Sequence, residues 1–245
     1  MQIGVCSDIG KARENNQDSY FYSQRMDFPL FIVADGMGGH KAGEVASCMA
    51  VEIVKDFFLD KKKQNLLDNE ENLISFIEES INRANDKIYK KAISNEQYNG
   101  MGTTLTMAYF LNGKVFIGHV GDSRAYLVRD NGLMQLTDDH SLVAELVKKG
   151  SISKEEAQYH PQRNIITRAV GTSEEIDVDI KFVEIKNDDI LLMCTDGLTS
   201  MIEENEIKNL LLVGSNMQES CNDLIKKAND LGGLDNITVI AMKIV

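Results

Sequence analysis

The strand-like segments of this chain come in runs instead of alternating with helices, and this order limits the folds that the sequence can adopt. Period-two or continuous apolar stretches predict strands at IGVCS, SYFYSQ, LFIVAD, TTLTMAYFL, KVFIGHVGD, RAYLVRD, LMQLT, VDIKFVEI, DILLMCT and NITVIAMKI. Two Asn-Gly pairs, at Asn112-Gly113 and Asn131-Gly132, are hairpin signals. Strands joined by tight turns form an antiparallel meander, which argues against a parallel sheet of βαβ units.

Four longer segments have the periodicity of amphipathic helices. Two of them, at 41–59 and 71–93, lie between the early strands, and two more are predicted at Glu203–Leu212 and Met217–Asp230. Helices grouped around runs of strands predict an α+β fold, in which stacked antiparallel sheets are covered by helices. Because no low-complexity linker interrupts the chain, a single domain of residues 1–245 is the simplest division.

The segment 140–171 departs from this plan. It predicts a short helix ended by Gly150, a second helix that begins with a capping box at Ser153 and Glu156, and a stretch broken by Pro161. An insertion lying over a surface and an ordinary helical connection both fit this pattern.

Composition narrows the classes of partner. The 245 residues include 26 Lys and Arg against 38 Asp and Glu, so the net charge is -12, which disfavours general attraction to nucleic acid or to anionic membranes. No apolar run approaches the ~18 residues that a membrane span needs. The four cysteines have no CxxC spacing and are interpreted as free thiols in a reducing cytosol. A cytoplasmic protein is expected.

Carboxylates stand at the ends of four predicted strands, in the pairs Asp35-Gly36, Gly121-Asp122, Asp196-Gly197 and Asp235-Asn236. A single Asp-Gly pair is weak evidence, because most such pairs are simply turns. Their joint occurrence after apolar strands is typical of a site for Mg²⁺ or Mn²⁺, which take oxygen ligands from one or two carboxylates per ion.

Other cofactor motifs are absent from the sequence. There is no HExxH, no cysteine cluster, no EF-hand loop, no P-loop and no GxGxxG. The metal site that remains is one in which carboxylate oxygens bind Mg²⁺ or Mn²⁺, and phosphate esters are the natural substrates of such a site. Two ions can lower the pKa of a bridging water and neutralise the phosphoryl oxygens during in-line attack.

Eight short motifs occur in order along almost the whole chain. They are RENNQD at 13–18, VADGMGGHKAGEVAS at 33–47, GTT at 102–104, GDSRAYL at 121–127, LTDDHS at 136–141, ITRAVG at 166–171, CTDGL at 194–198 and DNIT at 235–238. In these motifs the chain resembles the metal-dependent type-2C (PPM) serine/threonine protein phosphatases, particularly the small bacterial members. The resemblance implies a β-sandwich of two antiparallel sheets flanked by helices, in α/β/β/α layers.

The resemblance also implies a ligand set. Asp35 would contact both of two catalytic Mn²⁺ or Mg²⁺ ions, and the carbonyl of Gly36 would join the first ion. Asp196 and Asp235 would hold the second ion. A third, weaker ion would be held by Asp122 together with Asp196.

Two further residues receive roles from the same resemblance. Asp18 would orient metal-bound water, and Arg13 would bind the phosphoryl group with its planar fork of donors. The stretch 144–169 matches a flap. Met37 stands where the animal enzymes have a candidate acid histidine, so His40 and a metal-bound water are both open as the proton source for the leaving group.

The expected activity is hydrolysis of phosphoserine and phosphothreonine on proteins. A hydroxide bridging two ions would attack phosphorus directly, and the enzyme would oppose a bacterial serine/threonine kinase. Its expected partners are phosphorylated proteins, such a kinase among them, with no nucleic acid and no membrane, and nothing requires more than a monomer.

Three alternatives stay open at this point. A catalytically silent pseudophosphatase would act as a binding module, although all the matched ligand positions are filled. A phosphatase with one dedicated substrate, such as an anti-sigma-factor antagonist, often carries an added sensor or membrane domain, for which a chain filled by the catalytic domain has no room. A metal-dependent nuclease would also use ions bound by carboxylate oxygens, but the net charge and the lack of a basic patch weigh against this class.

Overall fold

A computed structural model describes residues 1–25, 27–38 and 42–245 of the chain. Within these residues the chain forms eleven strands and seven helices. The strands are β1 (Gln2–Asp8), β2 (Asp18–Tyr22), β3 (Leu30–Met37), β4 (Gly102–Thr103), β5 (Leu105–Leu111), β6 (Lys114–Val120), β7 (Arg124–Arg129), β8 (Gly132–Gln135), β9 (Asp179–Glu184), β10 (Ile190–Cys194) and β11 (Ile237–Lys243). The helices are α1 (Ala42–Lys63), α2 (Glu70–Ser94), α3 (Leu142–Lys148), α4 (Lys154–Gln158), α5 (Asp196–Thr199), α6 (Glu204–Val213) and α7 (Met217–Asp230).

The strands form two antiparallel sheets. One sheet has the order β1-β11-β10-β7-β8, and the other has the order β2-β3-β5-β6-β9, with β4 added beside β3. Alternate side chains of β3 and β10 face the space between the sheets, where Phe31, Val33, Leu191 and Met193 belong to one buried apolar layer. The predicted α+β sandwich is therefore confirmed.

The predicted meander is wrong, because the chain changes sheets within it, between β1 and β2 and again between β6 and β7. Gly121, which links these strands, has φ +112°, a conformation that a residue with a Cβ rarely adopts. A side chain at this position would also collide with Thr104. The hairpins β5-β6 and β7-β8 form as predicted, but each lies in a different sheet.

Helices cover both outer faces of the sandwich. The apolar stripe of α2, which includes Ile77, Ile81 and Ile88, is fully buried in one cluster with the outward-facing residues of the second sheet. Burying such a side chain contributes about 1.5–3 kcal/mol, which explains why these helices dock on the sheet. On the opposite face, α6 and α7 pack in a second cluster that includes Leu192 and Leu224. The layers are α/β/β/α.

The segment 140–171 contains the two short helices that the sequence predicts. Gly150 follows α3 with φ +71°, and the capping box of Ser153 and Glu156 opens α4. One bridge, between Ser141 and Ile166, joins the two ends of the segment. In the described part of the chain, none of the helices combines the length and the apolar character that a bilayer crossing needs.

Candidate metal centre

The predicted ligands come together at one end of the sandwich, where both sheets contribute. Asp18 and Asp35 are register partners on β2 and β3. Asp196 comes two residues after the end of β10, and Asp235 comes two residues before the start of β11. Both of these strands lie in the other sheet. The two sheets thus place carboxylates from distant parts of the sequence in one cluster.

Burial and mutual repulsion raise the pKa values of these carboxyls. Burial, followed by the negative charges of Asp18 and Asp196, holds the pKa of Asp35 well above its usual range. Burial is also the main cause that raises the pKa of Asp18 to about 7 and that of Asp122 to about 8. The pKa of Asp196 is raised by burial and by the charge of Asp235, although a hydrogen-bond contact with Asp35 opposes the rise. So many acidic groups in one place strongly favour a cation.

Three carboxylate oxygens of the cluster are buried and lack a hydrogen-bond partner among the described residues: Asp18 Oδ1, Asp122 Oδ1 and Asp196 Oδ1. The second oxygen of Asp18, in contrast, accepts from the hydroxyls of Thr195 at 2.9 Å and Thr238 at 2.7 Å. A buried carboxylate oxygen without a partner is costly, and coordination to a hard cation removes the cost. In donor chemistry the site therefore fits Mg²⁺ or Mn²⁺.

Arg13 lies at the edge of the cluster. Its Nη2 donates to Asp235 Oδ2 at 2.6 Å, while half of its side chain remains exposed. The other oxygen of Asp235 accepts from the N–H of Asn236 at 2.8 Å. Among the described residues, no group of three or more acidic, histidine or cysteine side chains is already arranged to hold a metal ion. Both oxygens of Asp235 are held by hydrogen bonds, so an ion would have to compete with Arg13 for this ligand.

Two glycines allow α1 to approach the end of β3. A side chain at Gly36 would collide with the carbonyl of Gly43, and one at Gly43 would lie 2.6 Å from the Gly36 carbonyl oxygen. The N–H of Gly36 donates to the carbonyl of Gln17 at 3.1 Å. The Gly36 carbonyl oxygen therefore lies close to the backbone of Gly43 at the start of α1, and its role as a metal ligand stays a prediction.

Hydroxyl groups that the sequence analysis did not single out hold the Asp35 backbone. The N–H of Asp35 donates to Thr104 Oγ1 at 2.9 Å, and its carbonyl accepts from the Thr103 hydroxyl at 2.8 Å. Thr104 Oγ1 also forms a 2.7 Å hydrogen bond with Ser123 Oγ, next to Asp122. The motifs GTT and GDSRAYL contain these residues, but only the fold shows that the two motifs meet.

Two of the three described histidines, His119 and His140, lie in a structural network. The rings of His119 and His140 stack with centroids 4.8 Å apart. His140 Nδ1 accepts from the N–H of Gly121 at 3.0 Å, and His119 Nδ1 forms a 2.9 Å hydrogen bond with Thr106. The candidate acid His40 lies outside the described residues, so its role stays a prediction.

The sequence is similar to known protein phosphatases along most of its length. Residues 10–229 match the family model described as Protein phosphatase 2C. The chain is 42% identical over 238 residues to the serine/threonine phosphatase Stp of Listeria welshimeri, which covers 97% of this chain and 93% of that protein.

Solved structures of serine/threonine phosphatases also resemble this chain over nearly its whole length. The serine/threonine phosphatase of S. agalactiae superposes with a TM-score of 0.92 at 38% identity, covering 100% of this chain and 99% of the other. The catalytic domain of the serine/threonine protein phosphatase PstP, solved in complex with two manganese ions, gives a TM-score of 0.87 at 33% identity, with coverages of 100% and 98%.

Proposed function

The chain belongs to the protein phosphatase 2C family and is a protein-serine/threonine phosphatase, and from this premise we propose how its own residues carry out the reaction. Residues 1–245 act as one catalytic domain, which removes phosphate from phosphoserine and phosphothreonine on proteins. The observation that carries the proposal is the buried carboxylate cluster with three unpartnered oxygens beside the half-exposed Arg13.

The enzyme depends on divalent metal ions, in keeping with its family and with the manganese found in the PstP structure. Two Mn²⁺ or Mg²⁺ ions would be held by the cluster: Asp35 would be a ligand of both, the Gly36 carbonyl would bind one, and Asp196 and Asp235 would bind the other. Asp122 and Asp196 would hold a third, weaker ion. When bound, the ions stabilise the phosphoryl oxygens and activate a water molecule as the nucleophile for direct attack on phosphorus.

The protein side chains supply position and charge. Thr195 and Thr238 donate to one oxygen of Asp18, which leaves the other oxygen directed into the cluster, where it orients the attacking water. Arg13 brings planar N–H donors on a half-exposed side chain, which suits two oxygens of an incoming phosphoryl group. The anchored segment 144–169 is the proposed flap beside the site.

Phosphorylated proteins are the proposed partners, including a bacterial serine/threonine kinase that the enzyme opposes. With a net charge of -12, the chain does not attract nucleic acid or anionic membrane in general. We place the enzyme, as a monomer, in the cytoplasm, consistent with four free cysteines among the described residues.

Hydrolysis of a small aryl phosphate and of a phosphothreonine peptide tests the proposal directly. The purified protein is treated with EDTA, and Mn²⁺, Mg²⁺, Ca²⁺ or Zn²⁺ is then restored. Activity on both substrates should return with Mn²⁺ or Mg²⁺. Silence with every ion, despite measurable Mn²⁺ binding, would contradict the proposal and favour a pseudophosphatase.

A further inference from the structure

The loop that carries Arg13 is tied to the end of α7 by hydrogen bonds that lie outside the acidic cluster. Asn229, in the last turn of α7, donates from Nδ2 to Asp8 Oδ1 at 3.0 Å. The same oxygen accepts from the N–H of Gly10 at 2.8 Å. Because Asp8 ends β1, its carboxylate fixes where the loop leaves the sheet and connects that point to α7.

Gly233 makes a second attachment between the same two segments. Its carbonyl accepts from the N–H of Lys11 at 2.7 Å and from the N–H of Ala12 at 3.2 Å. Gly233 has φ +56°, and a side chain at this position would collide with Asn229 Oδ1. Asn229 therefore contacts both attachments, one through each end of its amide.

The orientation of the Asn229 amide follows from its partner. A carboxylate only accepts hydrogen bonds, so the atom that faces Asp8 is the nitrogen. The oxygen then lies beside Gly233, buried and without a hydrogen-bond partner in the part of the chain that the structure describes. An apolar side chain would avoid the cost of this unpartnered oxygen, but it would leave the Asp8 carboxylate without its donor from α7.

The two attached segments carry the charged groups of the site. Arg13 follows the Lys11–Ala12 attachment directly, and Asp235 comes two residues after Gly233. The ion pair between Arg13 and Asp235, at 2.6 Å, spans the same two segments. Any separation of the loop from the end of α7 would therefore move the guanidinium away from Asp235.

We propose that Asn229 is a positioning residue, which acts through Asp8 and the Gly233 turn to hold Arg13 where it binds the phosphoryl group of the substrate. The inference rests on the proposed function, because it takes the phosphate-binding role of Arg13 from it. Without the Asn229 side chain, Arg13 samples more orientations and loses affinity for phosphate. The ligands Asp35 and Asp196 lie on other elements and only Asp235 lies on the attached segment, so metal affinity should change less than phosphate affinity.

The first test replaces Asn229 with Ala and uses Asn222→Ala, an exposed position on the same helix, as the matched control. Hydrogen exchange of the Lys11 and Ala12 amides in the metal-free protein reports the attachment without any need for activity. We expect exchange to be at least about tenfold faster in Asn229→Ala and unchanged in Asn222→Ala. Unchanged exchange in both variants would overturn the inference.

The second test measures phosphate recognition in the Mn²⁺-loaded protein. For Asn229→Ala we expect KM for a phosphothreonine peptide and the inhibition constant of inorganic phosphate to rise about tenfold, with kcat altered less than about threefold. The Mn²⁺ concentration that gives half-maximal activity should change less than the inhibition constant of phosphate, because Asp235 is the only proposed ligand on the attached segment. In an Arg13→Ala background, Asn229→Ala should add no further loss, because it acts through Arg13. Additive effects of the two substitutions would overturn the inference.

Substitutions at Asp8 test the same hydrogen bond from its acceptor side. They can be used if the Asn229→Ala protein does not fold. Asp8→Ala should reproduce the loss of phosphate affinity. Asp8→Asn, whose amide oxygen still accepts hydrogen bonds, should retain nearly all of the phosphate affinity. If the unaltered protein is inactive with every ion, the proposed function itself fails. If it is active and the Asn229 and Asp8 variants bind phosphate normally, only the present inference fails.

Discussion

Asp18 and Asp35 lie directly opposite each other on neighbouring antiparallel strands. Like charges in this arrangement destabilise a sheet, and burial adds to the cost. The chain keeps both carboxylates at the point where Asp196 also approaches Asp35. A fold that concentrates repulsion in this way gains stability when a cation binds.

Replacing Asp35 with Asn tests this relationship. We expect turnover to fall by at least about a hundredfold, because the proposed ligand of both ions is lost. The melting temperature in EDTA should stay the same or rise, because one repulsive buried charge is removed, and the stabilisation by added Mn²⁺ should largely disappear. Thermal unfolding with and without Mn²⁺ measures both effects, with the exposed Asp223→Asn as control. Unfolding of the variant would mark Asp35 as a structural residue.

Arg13→Ala should mainly weaken substrate binding. In its proposed role the guanidinium supplies charge-assisted hydrogen bonds to phosphoryl oxygens, each of which contributes about 1.5–3 kcal/mol, so KM should rise by tenfold or more. Steady-state kinetics on a phosphothreonine peptide checks the effect, with the exposed neighbour Lys11→Ala as control. An unchanged KM would count against the assigned role.

Thr104→Val should loosen the backbone of Asp35 without changing a charged group. The substitution leaves the N–H of Asp35 and the hydroxyl of Ser123 without their partner, which should cost about 1–3 kcal/mol of stability. Metal affinity should fall as well, because Asp35 is held less firmly. Urea unfolding and Mn²⁺ titration measure the two effects, and Thr167→Val at an exposed position is the control. Wild-type values in both would show that the hydroxyl does not position Asp35.

His119 should make stability depend on pH below neutrality. Burial, followed by the charge of His140, lowers the pKa of His119 to about 4, so the folded state favours the neutral ring. A lowered histidine pKa gives stability that is fully present above the unfolded value near 6.5 and is lost as pH falls towards 4, up to about 3 kcal/mol. The negative charges of Asp139 and Asp179 oppose the shift.

The measurement is the free energy of unfolding in urea with EDTA between pH 4.5 and 7.5, compared with His119→Gln. The variant should lose less stability on acidification, and the His160→Gln control should behave like the unaltered protein. Equal slopes in all three proteins would contradict the expected titration of His119.

Local patterns predicted the elements well because the physics that forms them is local. The continuous apolar run of β3 predicted a buried strand, and both of its faces are buried, with Phe31 and Val33 between the sheets and Leu30 and Ile32 in the cluster that contains α2. The capping box at Ser153 and the stop at Gly150 also depend only on neighbouring residues. In contrast, the predicted meander is divided between two sheets, after β1 and again at Gly121, because pairing depends on which apolar faces meet across the core.

The sequence by itself determined the strands, the helices, the candidate carboxylates and, through its ordered motifs, the family. Only the tertiary structure decided how these groups support one another. The pairing of Asp18 with Asp35, the Thr104–Ser123 bond and the Asn229–Asp8 bond join residues 17, 19 and 221 positions apart. Hydrogen bonds and repulsion of this kind depend on distances in space, and periodicity along a chain reports only the face on which a residue lies.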